Sequence, residues 1–247
     1  MKNFENQVAF ITGGNSGIGK ASALSVAREG ANVMLADLKE NPEVLREIKS
    51  LGVKASFVRC DVSKAEEVKN AIAETVKQFG SLDIALNNAG IGDQGMIHEK
   101  SLEQWERVIS INLSGVFYCM KYEVEQMLKQ KTGGKIINVS SILGQVAEAG
   151  AAAYVAAKHG VVGLTKTAAI EYGTKNIRVN AIGPGYIETP LLKDMDEEKI
   201  HALEGRHTMK RLGHSEEVAK AFLWLASNDS SFLTGDYIPV DGGYLAQ

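Results

Sequence analysis

Short runs of β-branched and apolar residues alternate along the chain with longer stretches of helical periodicity. Seven runs are typical of strands: Val8–Thr12, Asn32–Ala36, Ala55–Cys60, Ile84–Asn87, Lys135–Ser140, Arg178–Ile182 and Tyr237–Val240. Six stretches are typical of helices: Gly17–Glu29, Pro42–Leu51, Lys64–Phe79, Leu102–Lys129, Tyr154–Tyr172 and Glu216–Ser227. The strand runs are nearly uniform in hydrophobicity, as expected where helices cover both faces of a parallel sheet. The alternation predicts an α/β fold, a Rossmann-type doubly wound parallel sheet of about seven strands flanked by helices.

One segment interrupts this alternation. Residues 184–213 contain two prolines and a cluster of acidic side chains, without a clean strand signal. Long loops inside compact domains are usually lids or binding loops, and Leu191, Leu192 and Met195 give this one an apolar face. We therefore expect a substrate loop near 184–213, within a single domain that covers residues 1–247.

The composition argues against several classes of protein. The 247 residues carry 27 basic and 30 acidic side chains, so no basic excess is present to bind nucleic acid. Residues 1–7 have no apolar signal core, and charges interrupt the alanine-rich stretch 147–162 before it reaches membrane-spanning length. Cys60 and Cys119 are too few for a disulfide scaffold. We expect a cytoplasmic protein with two buried cysteines, in a reducing compartment, and no nucleic-acid or membrane partner.

A glycine-rich turn at Thr12–Gly19 connects the first strand to the first helix. Glycines let the backbone approach a phosphate closely, and the unpaired amides of the following helix attract the anion. The common G-x-G-x-x-G fingerprint is not matched, because Asn15 and Ile18 replace two of its glycines. A nucleotide-triphosphatase loop is nearly matched, but Ala21 replaces the hydroxyl that would hold magnesium. The turn therefore favours a diphosphate-bearing cofactor over a phosphate-cleaving enzyme.

Asp37 ends the second strand, 18 residues after Gly19. This is close to the interval of about 20 residues at which an acidic side chain reaches the ribose of a dinucleotide. The carboxylate can accept hydrogen bonds from both ribose hydroxyls and would repel a 2′-phosphate. The position favours NAD over NADP. The alternative is that Asp37 is only a helix cap or a surface turn residue. The nearby Lys39 argues against the NAD preference.

Tyr154 and Lys158 lie four residues apart in an alanine-rich stretch, so a helix would place them on one face. A phenol ionises near pH ~10, and lowering that by about three units requires roughly 4 kcal/mol of preferential stabilisation of the phenolate. Lys158 and a bound nicotinamide cation could together supply that field. A Tyr-x-x-x-Lys pair is also common on ordinary exposed helices, so the pair needs support from other residues.

That support comes from motifs that follow in a fixed order over essentially the whole chain. They are Thr12-Gly13 with Gly17-Ile18-Gly19, Asp61-Val62, Asn87-Asn88-Ala89-Gly90, Asn112, Ser141 with Gly144, Tyr154 and Lys158, Pro184-Gly185 with Thr189, Arg211-x-Gly213, Gly235, and Val240-Asp241-Gly242-Gly243. In this order the motifs resemble those of the classical short-chain dehydrogenase/reductases. Ser215 stands where many relatives carry proline, a difference at a helix start.

The resemblance implies hydride transfer between NAD(H) and a secondary alcohol or ketone. Tyr154 would exchange the hydroxyl proton, Ser141 would hold the substrate oxygen, Lys158 would depress the pKa of Tyr154 and bind the nicotinamide ribose, and Asn112 would hold a proton-relaying water. The residues implied to bind the cofactor are Gly13, Asn15, Ser16, Gly17, Ile18, Gly19, Asp37, Asp61, Val62, Asn88, Ala89, Gly90, Tyr154, Lys158, Pro184, Gly185, Ile187 and Thr189.

The substrate is less constrained by the sequence. Candidates for the pocket are Gln94, Met96, Gln145, Val146, Glu148, Tyr186, Leu191, Leu192 and Met195, which favour a small or medium apolar or cyclic alcohol. The five histidines lack zinc-ligand spacing, so we expect no metal. Because Asp37 argues against NADPH-driven reduction, oxidation of an alcohol is favoured.

Three alternatives stay open. An NADP-dependent 3-oxoacyl-type ketoreductase and a non-catalytic dinucleotide sensor would share this fold, and function belongs to the site rather than the fold. A nucleotidase would need magnesium and would tolerate loss of Tyr154.

Relatives in the family are usually tetramers, so the resemblance also implies a homotetramer built through the long helices and the C-terminal strand.

Overall fold

A computed structural model describes residues 3–190 and 196–247 of the chain. The strands are β1 (Val8–Thr12), β2 (Asn32–Asp37), β3 (Ala55–Arg59), β4 (Ile84–Asn87), β5 (Gly134–Val139), β6 (Ile177–Pro184) and β7 (Tyr237–Val240). The α-helices are α1 (Gly17–Arg28), α2 (Pro42–Ser50), α3 (Ala65–Phe79), α4 (Leu102–Ile109), α5 (Gly115–Met127), α6 (Ala152–Tyr172), α7 (Glu197–Gly205) and α8 (Ser215–Ala226).

All seven strands form one parallel sheet in the order β3-β2-β1-β4-β5-β6-β7. The chain winds outward from β1 in one direction and from β4 in the other. In such sheets ligands bind outside the carboxyl ends of the strands, at the point where the winding direction reverses. The predicted doubly wound parallel fold is therefore confirmed, and its topology locates the site between β1 and β4.

Two hydrophobic cores cover the two faces of the sheet. On one face, α1, α2 and α8 pack on strand residues such as Ile11, Leu35 and Ile137. On the other, α3, α5 and α6 pack on alternate residues such as Phe10, Met34 and Ile136. Because both faces of the central strands β1, β2 and β4 are buried, these strands lack the alternation of polar and apolar residues, which explains their nearly uniform hydrophobicity.

Local sequence sets several helix ends. Asn41 accepts a hydrogen bond from the Glu43 amide and precedes Pro42 at the first position of α2. Ser101 and Gln104 form a reciprocal capping box at the start of α4. Across residues 3–190 and 196–247, no helix combines the length and the apolar character needed to cross a membrane.

The predicted boundaries agree with the structure to within one or two residues, with two exceptions. The stretch predicted as one helix over Leu102–Lys129 is interrupted by a π-helical turn at Ser110–Ser114, which separates α4 from α5. The segment predicted as a loop near 184–213 contains a helix, α7, started by an Asp196 side chain that accepts from the Lys199 amide. Leu191, Leu192 and Met195 lie outside the described residues, and the extent of a single domain over 1–247 stays a prediction.

Candidate active site

A cleft of about 830 Å³ opens at the carboxyl ends of the central strands. This volume lies in the usual range for cofactor and ligand pockets. The loops after β1, β2 and β4 line one end, and the loops after β5 and β6 line the other. We name these the dinucleotide end and the substrate end.

The turn between β1 and α1 is shaped by close backbone packing. Gly13 and Gly17 adopt the left-handed φ values of 63° and 49°. A Cβ on Gly19 would lie 2.1 Å from the Gly13 carbonyl oxygen, so only glycine fits there. The N-cap Ser16 makes no side-chain capping bond, and α1 has no acidic residue in its first turn. The start of α1 therefore keeps amides available for an anion, at the edge of the cleft.

Asp37 lies where β2 ends, beside this turn. Its carboxylate accepts hydrogen bonds from the Asn15 amide at 3.3 Å and from the Leu38 amide at 2.8 Å. The Asn15 side chain donates to the Lys39 carbonyl, while its own buried Oδ1 has no hydrogen-bond partner among residues 3–190 and 196–247. Asp37 thus fastens the glycine turn to the end of β2 and stays in the wall of the cleft.

Asn88 joins the end of β4 to the same turn. Its side-chain amide donates to the carbonyls of Thr12 and Gly13, at 3.0 and 3.1 Å. The Thr12 hydroxyl accepts in return from the amides of Asn88 and Ala89. These crossed bonds fix the position of the β4 segment against the glycine turn at the dinucleotide end.

Asn112 lies in the π-helical turn and is fully buried. Its Nδ2 donates to the Ile91 carbonyl at 2.9 Å, and its Oδ1 accepts from the Ile91 amide at 3.1 Å. A Cβ on Gly90 would lie 2.5 Å from that Oδ1, so the contact depends on glycine. One N–H and one lone pair of the Asn112 side chain remain for a further partner.

Tyr154 and Lys158 share one face of α6, as predicted. The Lys158 ammonium lies 5.3 Å from the centre of the Tyr154 ring and donates to the Val139 carbonyl at 2.8 Å. Ser140 donates to the Lys158 carbonyl at 3.0 Å, which ties α6 to the end of β5. Ser141 lines the cleft beside Tyr154, and its carbonyl accepts from the Tyr237 hydroxyl at 2.8 Å.

The pKa values of these groups follow from burial. Burial raises the pKa of Tyr154 above the ordinary phenol value, and a hydrogen bond with Ser141 opposes that rise. Burial lowers the pKa of Lys158 to about 8. Burial thus acts against the depressed pKa of Tyr154 that the resemblance implies. The positive charge of a bound oxidised nicotinamide would act in the opposite direction to burial.

At the substrate end, three side chains from separate segments meet. The Tyr186 hydroxyl donates to Glu148 Oε2 at 2.7 Å, and Arg206 donates to Glu148 Oε1 and to the Tyr186 oxygen. Glu148 follows β5, Tyr186 follows β6, and Arg206 follows α7. We name this group the Glu148 clasp. Glu148 and Tyr186 line the cleft, so the clasp forms part of the wall at its substrate end.

Most predicted site residues line the cleft. They are Gly13, Ser16, Gly17, Ile18, Asp37, Asp61, Val62, Asn88, Ala89, Gly90, Asn112, Ser141, Tyr154, Lys158, Pro184, Gly185, Ile187, Thr189, Gln94, Glu148 and Tyr186. Asn15 and Gly19 support the turn instead, as described above. Met96, Gln145 and Val146 are exposed and do not line the cleft. The apolar cavity expected from Met96 and Val146 is thus not formed by those two side chains.

Two residues of the site, Asp93 and His207, were not predicted from the sequence. Asp93 lines the cleft and accepts from the amides at the start of α6, a contact 60 residues away that no local pattern indicates. His207 is buried and accepts from the Tyr186 amide through Nε2 at 3.2 Å. A Cβ on Gly185 would lie 2.7 Å from that nitrogen. His207 therefore supports the turn that follows β6.

The residues of the cleft fit a nicotinamide dinucleotide. The open amides of α1 suit its diphosphate, and the Asp37 carboxylate suits a ribose diol. Tyr154 and Lys158 line the same cleft, so a cationic nicotinamide ring bound there would lie near the Tyr154 phenol, whose pKa is raised. A loop that held a triphosphate with magnesium would instead need a hydroxyl at position 21, where this chain has Ala21.

Comparison with known proteins agrees with this geometry. The family model described as Enoyl-(Acyl carrier protein) reductase matches residues 13–245. A cyclohexanol dehydrogenase of Acinetobacter sp. (strain SE19) is 45% identical over 247 residues, covering 99% of this chain and 97% of that protein. A carveol dehydrogenase from Mycobacterium avium, solved in complex with NAD, matches with a TM-score of 0.95 and 31% identity, covering 100% of both chains. A protein from Agrobacterium tumefaciens, solved with bound NADP and titled a putative 2-deoxy-d-gluconate 3-dehydrogenase, matches with a TM-score of 0.93 and 35% identity, again over 100% of both chains.

The chain belongs to the classical short-chain dehydrogenase/reductases. It is an oxidoreductase that acts on CH–OH groups and uses a nicotinamide dinucleotide.

Proposed function

We propose that this enzyme oxidises a small or medium cyclic secondary alcohol to the ketone, with NAD as the hydride acceptor. The observation that carries the proposal is the grouping of Ser141, Tyr154 and Lys158 at the end of β5, in one cleft with Asp37. A bound NAD supplies the electrophilic nicotinamide carbon that takes the hydride. The remaining chemistry, which is to hold the alcohol oxygen and remove its proton, belongs to side chains of the chain.

Tyr154 is the group that we assign as general base in this direction. Its phenol must lose a proton before it can accept one from the alcohol, and its raised pKa makes the phenolate scarce in the protein alone. The Lys158 ammonium, 5.3 Å from the ring centre, and the positive charge of the oxidised cofactor both favour the phenolate. Proton removal is therefore coupled to occupancy by the oxidised cofactor.

Ser141 and Asn112 have supporting roles. The Ser141 hydroxyl faces the cleft beside Tyr154, where it can donate to the substrate oxygen as negative charge develops there. Asn112 holds the loop after β4 through Ile91, and its remaining N–H and lone pair can bind the water that passes the proton to solvent. Ser141 thus acts on the substrate oxygen, and Asn112 acts on the loop after β4 and on the water.

Asp37 supports NAD over NADP. A 2′-phosphate at the end of β2 would lie against the Asp37 carboxylate, which already holds two backbone amides and cannot turn away without losing them. Like charges at close range disfavour such a complex. The solved relatives include both an NAD and an NADP complex, so the preference rests on this residue.

The cyclic substrate is supported by the relatives, because the relative from Acinetobacter is named for cyclohexanol. At the substrate end Glu148 is paired with Arg206, so its charge is compensated beside an uncharged alcohol.

One other function is favoured by a specific observation. A 3-oxoacyl-[acyl-carrier-protein] reductase from Thermotoga maritima is 41% identical over 241 residues, so an NADP-dependent 3-oxoacyl-type ketoreductase is the second candidate. It would run in the reducing direction on a thioester. Asp37 argues against it.

The test is a panel of cyclohexanol, an acyclic secondary alcohol and a 3-oxoacyl thioester, each with NAD(H) and NADP(H), followed by nicotinamide absorbance. We expect the highest kcat/KM for cyclohexanol with NAD, and a loss of about 10²- to 10⁴-fold in kcat on Tyr154→Phe. Faster reduction of the thioester with NADPH would favour the second candidate. Cofactor binding without turnover of any compound would indicate a sensor, and full turnover by Tyr154→Phe would contradict the assigned base.

We further propose a homotetramer. Large apolar side chains are exposed in two areas, on α4 to α6 and near the C-terminus: Leu102, Trp105, Phe117, Leu128, Ile170, Trp224 and Phe232. Contiguous exposed apolar surface is typical of protein interfaces. Light scattering at micromolar concentration is expected to give four times the chain mass of 26.6 kDa, and a monomer would contradict the proposal.

A reducing compartment, the cytoplasm, is our proposal for the location. Cys60 and Cys119 are both buried free thiols, and burial raises the pKa of each. Thiol titration of the protein, denatured without a reductant, is expected to find two free thiols. A disulfide would contradict the proposed location.

A further inference from the structure

Helix α6 carries Tyr154 in its first turn but has no cap of its own. Its N-cap residue is Ala151, which offers no side-chain acceptor, and no acidic residue lies in the first turn. The first amides of a helix have no partner inside the helix, and an uncapped end frays more easily. The residue proposed to exchange the proton therefore stands at the part of α6 that local sequence stabilises least.

The missing cap comes from another segment. Asp93, in the connection between β4 and α4, accepts from the Ala153 amide at 2.9 Å and from the Tyr154 amide at 3.3 Å, both through Oδ2. Its carboxylate also suits the positive end of the α6 dipole. The cap thus fixes the backbone of the catalytic tyrosine itself.

Lys100 holds the capping carboxylate in place. Its ammonium donates to Asp93 Oδ1 and, at 2.8 Å, to the Gln94 carbonyl. The side chains of Asp93 and Lys100 are only 2% and 4% exposed. Removing one partner of a buried ion pair leaves an uncompensated charge, so the two side chains act as one unit.

We propose that Asp93, locked by Lys100, is a positioning residue for the reaction: it caps α6 from the loop after β4 and sets the place of Tyr154. The inference rests on the proposed role of Tyr154. It also links the two ends of the cleft, because the loop that begins with Asn88 at the dinucleotide end reaches the start of α6 through Asp93.

The first test compares Asp93→Ala with wild type, using cyclohexanol and NAD. Displacement of a reacting group by about 1 Å can cost 10²-fold. We expect kcat to fall about 10- to 100-fold, with the KM for cyclohexanol and the Kd for NAD changed less than about 3-fold. A lower affinity for the alcohol with unchanged kcat would mean that Asp93 touches substrate, and would overturn the positioning role.

Two further variants separate positioning from stability. In Asp93→Asn/Lys100→Met the amide oxygen can still cap α6 and no buried charge is left, so kcat is expected within about 3-fold of wild type. Asn41→Ala removes the cap of α2, away from the cleft, and is expected to lower Tm without lowering kcat. If Asp93→Ala behaves like Asn41→Ala, or if the double variant folds but is as slow as Asp93→Ala, the proposal is wrong.

The last measurement does not depend on turnover. Hydrogen exchange at the Ala153 and Tyr154 amides is expected to accelerate at least 10-fold in Asp93→Ala, while the centre of α6 stays protected. Unchanged exchange would overturn the cap. Absence of turnover by wild type, with exchange accelerated as expected in the variant, would instead count against the proposed function alone.

Discussion

The two ends of the cleft are built by different means. At the dinucleotide end, glycines, backbone amides and short polar side chains such as Thr12 and Asn88 form a rigid frame around the β1–α1 turn. At the substrate end, the wall is a clasp of three long side chains, Glu148, Tyr186 and Arg206, from segments far apart in the chain. One end is fixed by backbone packing, and the other by side-chain charge.

This difference determines how readily each end of the cleft can change by substitution. A glycine turn that leaves no space for a Cβ holds one shape for one diphosphate, whatever the substrate. A side-chain clasp can change by single substitutions without disturbing the sheet, so substrate choice can differ among proteins that share the cofactor frame. Mutations at the dinucleotide end should therefore lower NAD affinity or selectivity strongly, and mutations at the substrate end should change substrate KM moderately.

The largest effect on NAD affinity is expected for Gly19→Ala. The new methyl group would lie 2.1 Å from the Gly13 carbonyl, so the turn must move. Shifts of this kind cost about 1–3 kcal/mol. Calorimetry should show NAD affinity reduced about 5- to 150-fold. Gly163→Ala is the matched control, because a Cβ there meets no atom within 4 Å; unchanged NAD affinity in both variants would refute the rigid frame.

A smaller effect at the same end is expected for Asp37→Ser. Loss of the carboxylate removes a charged hydrogen-bond acceptor, worth about 1.5–3 kcal/mol, and the repulsion of a 2′-phosphate. The ratio of kcat/KM for NAD to that for NADP should fall about 10- to 100-fold. Glu40→Ser, an exposed acid three residues further on, should leave the ratio unchanged. Equal ratios in wild type and Asp37→Ser would contradict the assigned preference.

At the substrate end, Glu148→Gln should have a moderate effect. The amide can still accept from Tyr186, but the ion pair with Arg206 is lost, and partly exposed pairs contribute about 1 kcal/mol or less. Steady-state kinetics should show KM for cyclohexanol raised about 2- to 5-fold and NAD affinity unchanged. A change in NAD affinity as large as the change in KM would show that the two ends are not separate.

The smallest effect on activity is expected below the cleft floor, at Glu123 in α5. This carboxyl is fully buried and accepts from Asn87 at 3.0 Å, and within the described part of the chain its Oε1 has no hydrogen-bond partner. Burial raises its pKa from 4.5 to about 8. A raised folded-state pKa means that the stabilisation is fully present below pH 4.5 and is lost as pH rises through about 8.

Glu123→Gln should remove that dependence and leave kcat unchanged. Between pH 4.5 and about 8, the Tm of wild type should fall relative to that of the variant. Parallel Tm profiles over this range would mean that Glu123 titrates normally.

The sequence predicted the dinucleotide end well, because its signals are local. The Thr12–Gly19 turn, Asp37 and the Asn88 segment each follow directly from a strand, and parallel strands bring their carboxyl ends together. The spacing of Tyr154 and Lys158 likewise fixes their common helix face. These features need only the secondary structure and the strand order.

The substrate end was predicted less completely, because its contacts are distant in sequence. Glu148 and Tyr186 were candidates, but their partner Arg206 follows a helix, α7, that the loop pattern did not indicate. Met96 and Val146 were predicted to line the pocket but are exposed. Hydrophobicity alone does not give the direction of a loop side chain. Asp93 caps a helix 60 residues away, and the π-helical turn that holds Asn112 has no periodicity of its own.

Isotope transfer follows the proposed reaction itself, in which hydride moves from the alcohol carbon to NAD while Tyr154 removes the proton. Cyclohexanol with deuterium on the carbinol carbon is incubated with NAD and either wild type or Tyr154→Phe, and the reduced cofactor is analysed by mass spectrometry. We expect the deuterium in the reduced nicotinamide with wild type, and a transfer rate about 10²- to 10⁴-fold lower in the variant. Deuterium found in water instead, or equal transfer by both proteins, would contradict the proposed reaction.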